Sequence, residues 1–169
     1  AQFVDTIVDK LQFTVIKVGD DLNAFKVFET LNARGVQLSS ADLLKNYLFS
    51  VVDSDERHSS ELLEMEHLWS QVMGVLAGER FEEFLRIFWN SRYENVRKND
   101  LFKVIRKRVR TKGEAFELLR ALLETAHVYM ALRSPEDELW KDLPEARTDL
   151  SLLRMYQVRQ PFPMLLAAY

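Results

Sequence analysis

Asp20-Asp21-Leu22-Asn23-Ala24-Phe25-Lys26-Val27-Phe28-Glu29-Thr30-Leu31-Asn32-Ala33-Arg34-Gly35-Val36-Gln37-Leu38-Ser39-Ser40-Ala41-Asp42-Leu43-Leu44-Lys45-Asn46-Tyr47-Leu48-Phe49 runs as an acidic start, an amphipathic segment, an Asn-x-Arg-Gly break and a capped restart. Leu22, Phe25, Phe28 and Leu31 step by three, with Val27 on the same side, so the spacing predicts a helix with one apolar face. Asp20 or Asp21 can cap its free amides and complement the positive end of its dipole. Gly35 can take the left-handed conformation that closes a helix, which places the stop near Ala33. Ser39 then precedes Asp42 by three residues, a capping box in which Asp replaces the usual Glu or Gln. The restarted helix turns Ala41, Leu44, Tyr47, Leu48 and Val51 toward a core.

Upstream, Leu11-Gln12-Phe13-Thr14-Val15-Ile16-Lys17-Val18 is β-branched and aromatic with partial alternation, and reads as a strand ending at Gly19. Downstream nearly everything has helical period. Leu62, Met65, Leu68 or Trp69, Val72, Met73 and Leu76 stripe a helix from Ser59 to about Ala77, ended by Gly78. Phe81, Phe84, Leu85 and Phe88 define the next. Asn99 is placed to cap a helix reaching about Arg110, and Thr111 with Glu114 makes a capping box ahead of Phe116, Leu119, Leu122, Leu123, Ala126 and Tyr129. Ser134-Pro135 with Asp137 reads as cap, first and third positions of a further helix. Leu150, Leu153 and Tyr156 suggest one more, and Met164 to Tyr169 starts another after Pro161 and Pro163. The expected fold is all-α: a multi-helix single domain over 20–169, with 1–19 a short N-terminal strand or extended arm. A lone strand cannot satisfy its ladder hydrogen bonds. The chain also opens without Met and closes on Leu165-Leu166-Ala167-Ala168-Tyr169, so it is expected to be a piece of a longer protein.

Composition bounds the partners. With 47% apolar and 29% charged residues the chain is an ordinary globular one, and no apolar run is long enough for a membrane span. Gln2, Asp5, Asp9 and Lys10 interrupt any signal-peptide core, and the absence of cysteine excludes disulfides and thiolate metal sites. A cytoplasmic location fits. The net charge of −3 hides an asymmetry: 92–112 holds nine basic and two acidic residues, a net +7, which leaves −10 for the remainder.

That segment supplies the first candidate site. At the helical period Leu101, Phe102, Ile105 and Val109 fall on one side, and Lys103, Arg106, Lys107 and Arg110 on the other, with Arg108 nearer the apolar flank. Four cations in a row suit nucleic-acid phosphates, because neutralising them releases condensed counterions. They equally suit a solvated face, or pairing with Glu61, Glu64 and Glu66 or with Glu79, Glu82 and Glu83. Asn32-Ala33-Arg34-Gly35 is the second candidate. Its Arg34 fork could reach a phosphate or carboxylate across a domain boundary. Helix punctuation, with Arg34 paired to an acid such as Asp42, explains the same residues. Glu79, Glu82 and Glu83 share a helix turn but interleave with core positions, whereas a two-metal nuclease needs carboxylates converging from separate elements. His58, His67 and His127 lack metal-ligand spacing, and His67 and His127 are expected to pack beside apolar stripes. No catalytic residue and no metal ligand is assigned.

The stretch 20–49, with its Asn32-x-Arg34-Gly35 loop, resembles nearly residue for residue a signature of the GmrSD-type restriction endonucleases. Trp69, Phe81 to Trp89, Phe116 to Tyr129 and the closing Pro-x-Pro-Met-Leu-Leu follow the same order of elements. The resemblance implies a protein that cuts foreign, often modified, DNA, with an N-terminal ParB-like nucleotide-hydrolysing domain and a C-terminal HNH nuclease. It implies a nucleotide and a divalent metal as cofactors of the whole protein. Neither the Asp-Gly-Gln-Gln-Arg motif nor a His-Asn-His arrangement occurs here, so no family catalytic residue is carried over. The resemblance therefore implies the non-catalytic helical middle, with 1–19 as the tail of the ParB-like domain, those flanking domains as partners, and DNA as a further one. A self-contained helical protein-interaction adaptor is the alternative.

Overall fold

Ser39 and Asp42 form the predicted box. The Ser39 N–H and hydroxyl both donate to the Asp42 carboxylate, at 3.1 and 2.7 Å, and the Asp42 N–H donates back to the Ser39 hydroxyl at 3.2 Å. Helix α1 (Ser40–Val52) starts there and buries Ala41, Leu44, Leu48 and Val52. The structure is a computed structural model that describes residues 39–52 and 59–169. The predicted strand Leu11–Val18, the helix after Asp20 and the Asn32-x-Arg34-Gly35 loop lie outside the described residues.

Among the described residues there are seven α-helices and no strand, so the fold is all-α. Helix α2 (Ser59–Leu76) buries Met65, Trp69, Val72 and Leu76 and ends where Ala77 and Gly78 both take positive φ, 47° and 86°. Gly78 carries its φ without steric cost, whereas Ala77 is held in a conformation L-residues seldom adopt. Helix α3 (Phe81–Arg92) buries Phe81, Phe84, Leu85, Ile87, Phe88 and Trp89. Helix α4 (Leu101–Arg108) follows a 3-10 turn at Lys98–Asp100. Helix α5 (Lys112–Arg133) is the longest, about 33 Å at the usual rise per residue, and packs against α1, α2 and α3. Helices α6 (Pro144–Met155) and α7 (Phe162–Ala168) complete the described part, with α7 against α3 and α5. None of these helices is long and apolar enough to cross a membrane.

One core runs through all seven helices. Leu44, Leu48, Met65, Phe84, Phe88, Ile105, Leu119, Leu122 and Tyr129 are fully buried in it. Aromatic rings chain across it from Trp69 to Phe81, Phe84, Tyr129 and Phe162, with successive centroids 5.2 to 6.3 Å apart. Such offset and edge contacts add to simple area burial.

Two boundaries depart from the sequence-based expectation. Asn99 sits inside the 3-10 turn rather than capping a helix, and α4 stops at Arg108 instead of Arg110. The cause lies in the next helix. The Thr111–Glu114 capping box forms as expected, but the Glu114 carboxylate also accepts the Arg110 N–H at 2.8 Å. Val109, buried and extended (φ −100°, ψ 104°), leads into it. No α-helix starts at Pro135 either. Ser134 is extended, as a residue before proline prefers. The Pro135 and Glu136 carbonyls accept from the Arg147 guanidinium of α6, at 2.9 and 3.3 Å. Asp137 caps only a 3-10 turn, Glu138–Trp140, and Pro144 starts the helix.

Candidate nucleic-acid interface

Helix α4 is anchored from below by Leu101 and Ile105, both buried, and from the side by Tyr47 of α1. The Tyr47 ring meets the edge of Phe102, with centroids 5.8 Å apart at 77°. Its hydroxyl reaches the Arg106 carbonyl, at 3.2 Å, and more closely the Val109 carbonyl. The last carbonyls of a helix lack intrahelical donors, so this hydroxyl closes the end of α4 from another helix.

The four predicted phosphate-binding residues are brought to one region but not into one row. Lys103 and Lys107 are exposed and four residues apart on the same helical face, where side chains are neighbours. Arg106 is half-buried, its guanidinium 5.2 Å from the centroid of the Tyr47 ring. Arg110 is exposed but lies beyond the helix end, its N–H held by Glu114. Backbone N–H donation from Arg110 and then Thr111, joined by the Thr111 hydroxyl, holds the Glu114 carboxyl below its ordinary pKa. Three basic residues in the last turn of α4 also complement the negative end of its dipole, which is the structural reason for their placement.

The acidic runs do not neutralise Lys103 or Lys107. Glu66 pairs with Lys45 at 2.9 Å, Glu61 with Lys112 at 2.5 Å and Glu64 with Arg120 at 3.1 Å. Glu82 pairs with Lys98 at 3.0 Å, Glu83 with Arg159 at 2.9 Å, and Glu79 with Arg133. The Glu83 contact also raises the Arg159 pKa. Glu79, Glu82 and Glu83 thus face three different cations rather than one point. Among the described residues no group of three or more His, Asp or Glu is arranged to hold a metal ion. His67 and His127 are exposed, not packed beside the stripes as expected.

One cluster escaped the periodicity. Arg108 lies over the Tyr93 ring, 4.1 Å from its centroid, and Tyr93 lies 4.4 Å from Trp89, centroid to centroid. The sequence signal was the position of Arg108 toward the apolar flank of α4, away from the other cations. Only the tertiary structure, which sets Tyr93 just past the end of α3 beneath Arg108, reveals its partner.

The described residues define a helical domain in which Lys103 and Lys107, on the outer face of a short basic helix, are exposed cations. Residues 1–49 match the model of the GmrSD restriction endonuclease N-terminal domain, and the match ends inside α1. No curated protein and no solved structure matches the chain significantly. Over residues 1–49 the chain is thus similar to the N-terminal domain of the GmrSD restriction endonucleases, in line with the resemblance of its opening stretch.

Proposed function

We propose that the helical body is a non-catalytic section of a modification-dependent, GmrSD-like DNA restriction endonuclease, placed between nucleotide-hydrolysing and nuclease domains. The observation that carries this reading is the family match over 1–49, which runs into α1, a helix whose Leu44 and Leu48 are fully buried in the helical core. On this reading the nucleotide and divalent metal act in the flanking domains, in a cytoplasmic anti-phage enzyme. Lys103, Arg106, Lys107 and Arg110 contribute DNA contacts that position rather than specify, since phosphates carry no sequence information. The exposure of Lys103 and Lys107, with the neighbouring acids engaged elsewhere, supports that role.

Fluorescence anisotropy of the full chain with duplex DNA across a salt series tests the DNA contact. Four neutralised phosphates give a log–log slope of about −3.6, with little dependence on sequence. A flat salt response at low ionic strength rejects it. A Mg²⁺ nuclease assay tests the non-catalytic assignment, and specific, titratable cutting by the purified chain rejects that.

The adaptor reading draws on a different surface. Leu152, Met155 and Tyr156 at the end of α6 are 49, 71 and 68% exposed, an apolar strip at helical spacing of the kind a protein partner covers. The complete reading frame separates the two. Flanking Asp-Gly-Gln-Gln-Arg and His-Asn-His motifs favour the nuclease section; a frame ending near Tyr169 favours the adaptor.

A further inference from the structure

The Trp89 indole N–H is buried and has no hydrogen-bond acceptor among the described residues, although the side chain as a whole is only 1% exposed. A buried donor without a partner costs on the order of a hydrogen bond or more, so native structures rarely keep one without reason. The half-buried indole of Trp140, in the 3-10 turn between α5 and α6, shows the contrast: it donates to the Ala131 carbonyl at 2.7 Å. Trp89 borders two hollows, on either side of the Tyr93–Arg108 pair. The first, about 440 Å³, is lined by Trp89, Tyr93, Glu94, Val104, Lys107 and Arg108. The second, about 520 Å³, adds Glu114 and Glu117 to the same pair. Charge separates them. Two cations face one carboxylate in the first, and one cation faces two carboxylates in the second, so an anionic group is drawn to the first.

Arg108 is exposed, and its contact with the Tyr93 ring is one that another flat group can replace. Three features then coincide beside the basic face of α4: an aromatic ring with a replaceable cover, an unsatisfied donor, and a lysine at the rim. We propose that the first hollow takes one unpaired nucleotide of a single strand. The base displaces Arg108 from Tyr93 and its phosphate meets Lys107 and the released Arg108; the Trp89 N–H, buried while Arg108 is in place, is reached by the base's acceptor edge only once that cover has moved. Bases of any kind stack on such a ring, so the site selects unpaired over paired nucleotides rather than one sequence over another. This rests on the reading of α4 as a nucleic-acid face and narrows it to single-stranded or locally opened DNA.

The test uses the full chain and fluorescein-labelled oligothymidylate of about 12 nucleotides, compared with a duplex of the same length. The single strand is expected to bind about tenfold more tightly at matched salt and to quench tryptophan fluorescence. Tyr93→Leu should remove that preference, weakening the single strand about tenfold and leaving the duplex unchanged. Because Tyr93 touches Phe88 in the core and Trp89 is itself buried there, Trp89→Phe serves as the second variant, and urea unfolding confirms that both variants are folded before binding is compared. Trp89→Phe keeps the ring, and should lower single-strand affinity several-fold and abolish most of the quench. Equal affinities that neither variant alters overturn the nucleotide site. If duplex binding then still falls with salt and with loss of Lys103 and Lys107, the basic-face reading survives alone. If neither ligand binds at low salt, both readings fall together.

Discussion

The acidic row around the start of α3 and the basic row of α4 are alike in sequence and opposite in structure. Glu79, Glu82 and Glu83 each meet a cation from another element: Arg133 of α5, Lys98 of the 3-10 turn, and Arg159 ahead of α7. Lys103 and Lys107 point to solvent with no acid of the described residues against them. Charge in the first row ties helices together. Charge in the second leaves a field at the surface, and a field at the surface is what a polyanion responds to. The acidic row is also graded. The Glu79–Arg133 pair is the most buried, with side chains 26 and 21% exposed, and the Glu82–Lys98 pair the least, at 32 and 57%.

The contrast can be broken most sharply at the basic row. Lys103→Ala with Lys107→Ala should weaken duplex DNA binding by one to two powers of ten at roughly 0.1 M salt, and make the salt slope shallower by about 1.8. The same variant should keep its stability within about 0.5 kcal/mol, since both side chains are exposed surface cations. Unchanged anisotropy titrations would make the row a solvated face.

At the acidic row the readout is folding. Arg133→Met removes the partner of Glu79 and also the guanidinium that donates to the Tyr129 hydroxyl at 3.3 Å. About 2 kcal/mol should be lost, because both partners left behind are partly or fully buried. Urea unfolding at constant m-value measures it, and a loss no larger than that of an exposed pair would erase the gradation.

Glu114 is an acid held by N–H groups instead of a cation, and it fixes the geometry at Arg110. Thr111→Ala should cost about 1 kcal/mol through loss of the cap. The folded Glu114 pKa is depressed, so its contribution is present above the ordinary glutamate pKa. It is lost as pH falls through the lower folded value. Stability of wild type relative to Glu114→Gln should therefore shrink in that acidic window and be constant above it. A wild-type advantage that grew on acidification would contradict this. Smallest of all, Lys98→Ala should change stability by no more than about 0.5 kcal/mol, the usual worth of an exposed pair.

The fold was largely legible because α1, α2, α3 and α5 carry strong apolar stripes and because Ser39, Gly78 and Thr111 punctuate them. What misled was capping chemistry reaching backwards. Periodicity carries α4 on to Arg110, whereas the Glu114 carboxylate takes the Arg110 N–H and ends the helix early. Pro135 looked like a helix start, yet Arg147, twelve residues later, claims its carbonyl. At the candidate site, Lys103 and Lys107 follow from spacing alone. The fates of Arg106 and Arg108 depend on the rings of Tyr47, in α1, and Tyr93, just past the end of α3, which leave no periodic trace in α4.

The Tyr47 hydroxyl joins two helices that touch different parts of the protein's business. It belongs to α1, where the family match ends, and it holds the closing carbonyls of basic α4. Local opening in proteins proceeds by cooperative units, not residue by residue. With its end closed from α1, α4 cannot keep that closure when α1 lifts away. Amide protons in the last turns of the two helices should then exchange with solvent as one unit. Tyr47→Phe, which keeps the ring on Phe102 and removes only the hydroxyl, should let the amides of α4 exchange ahead of those of α1.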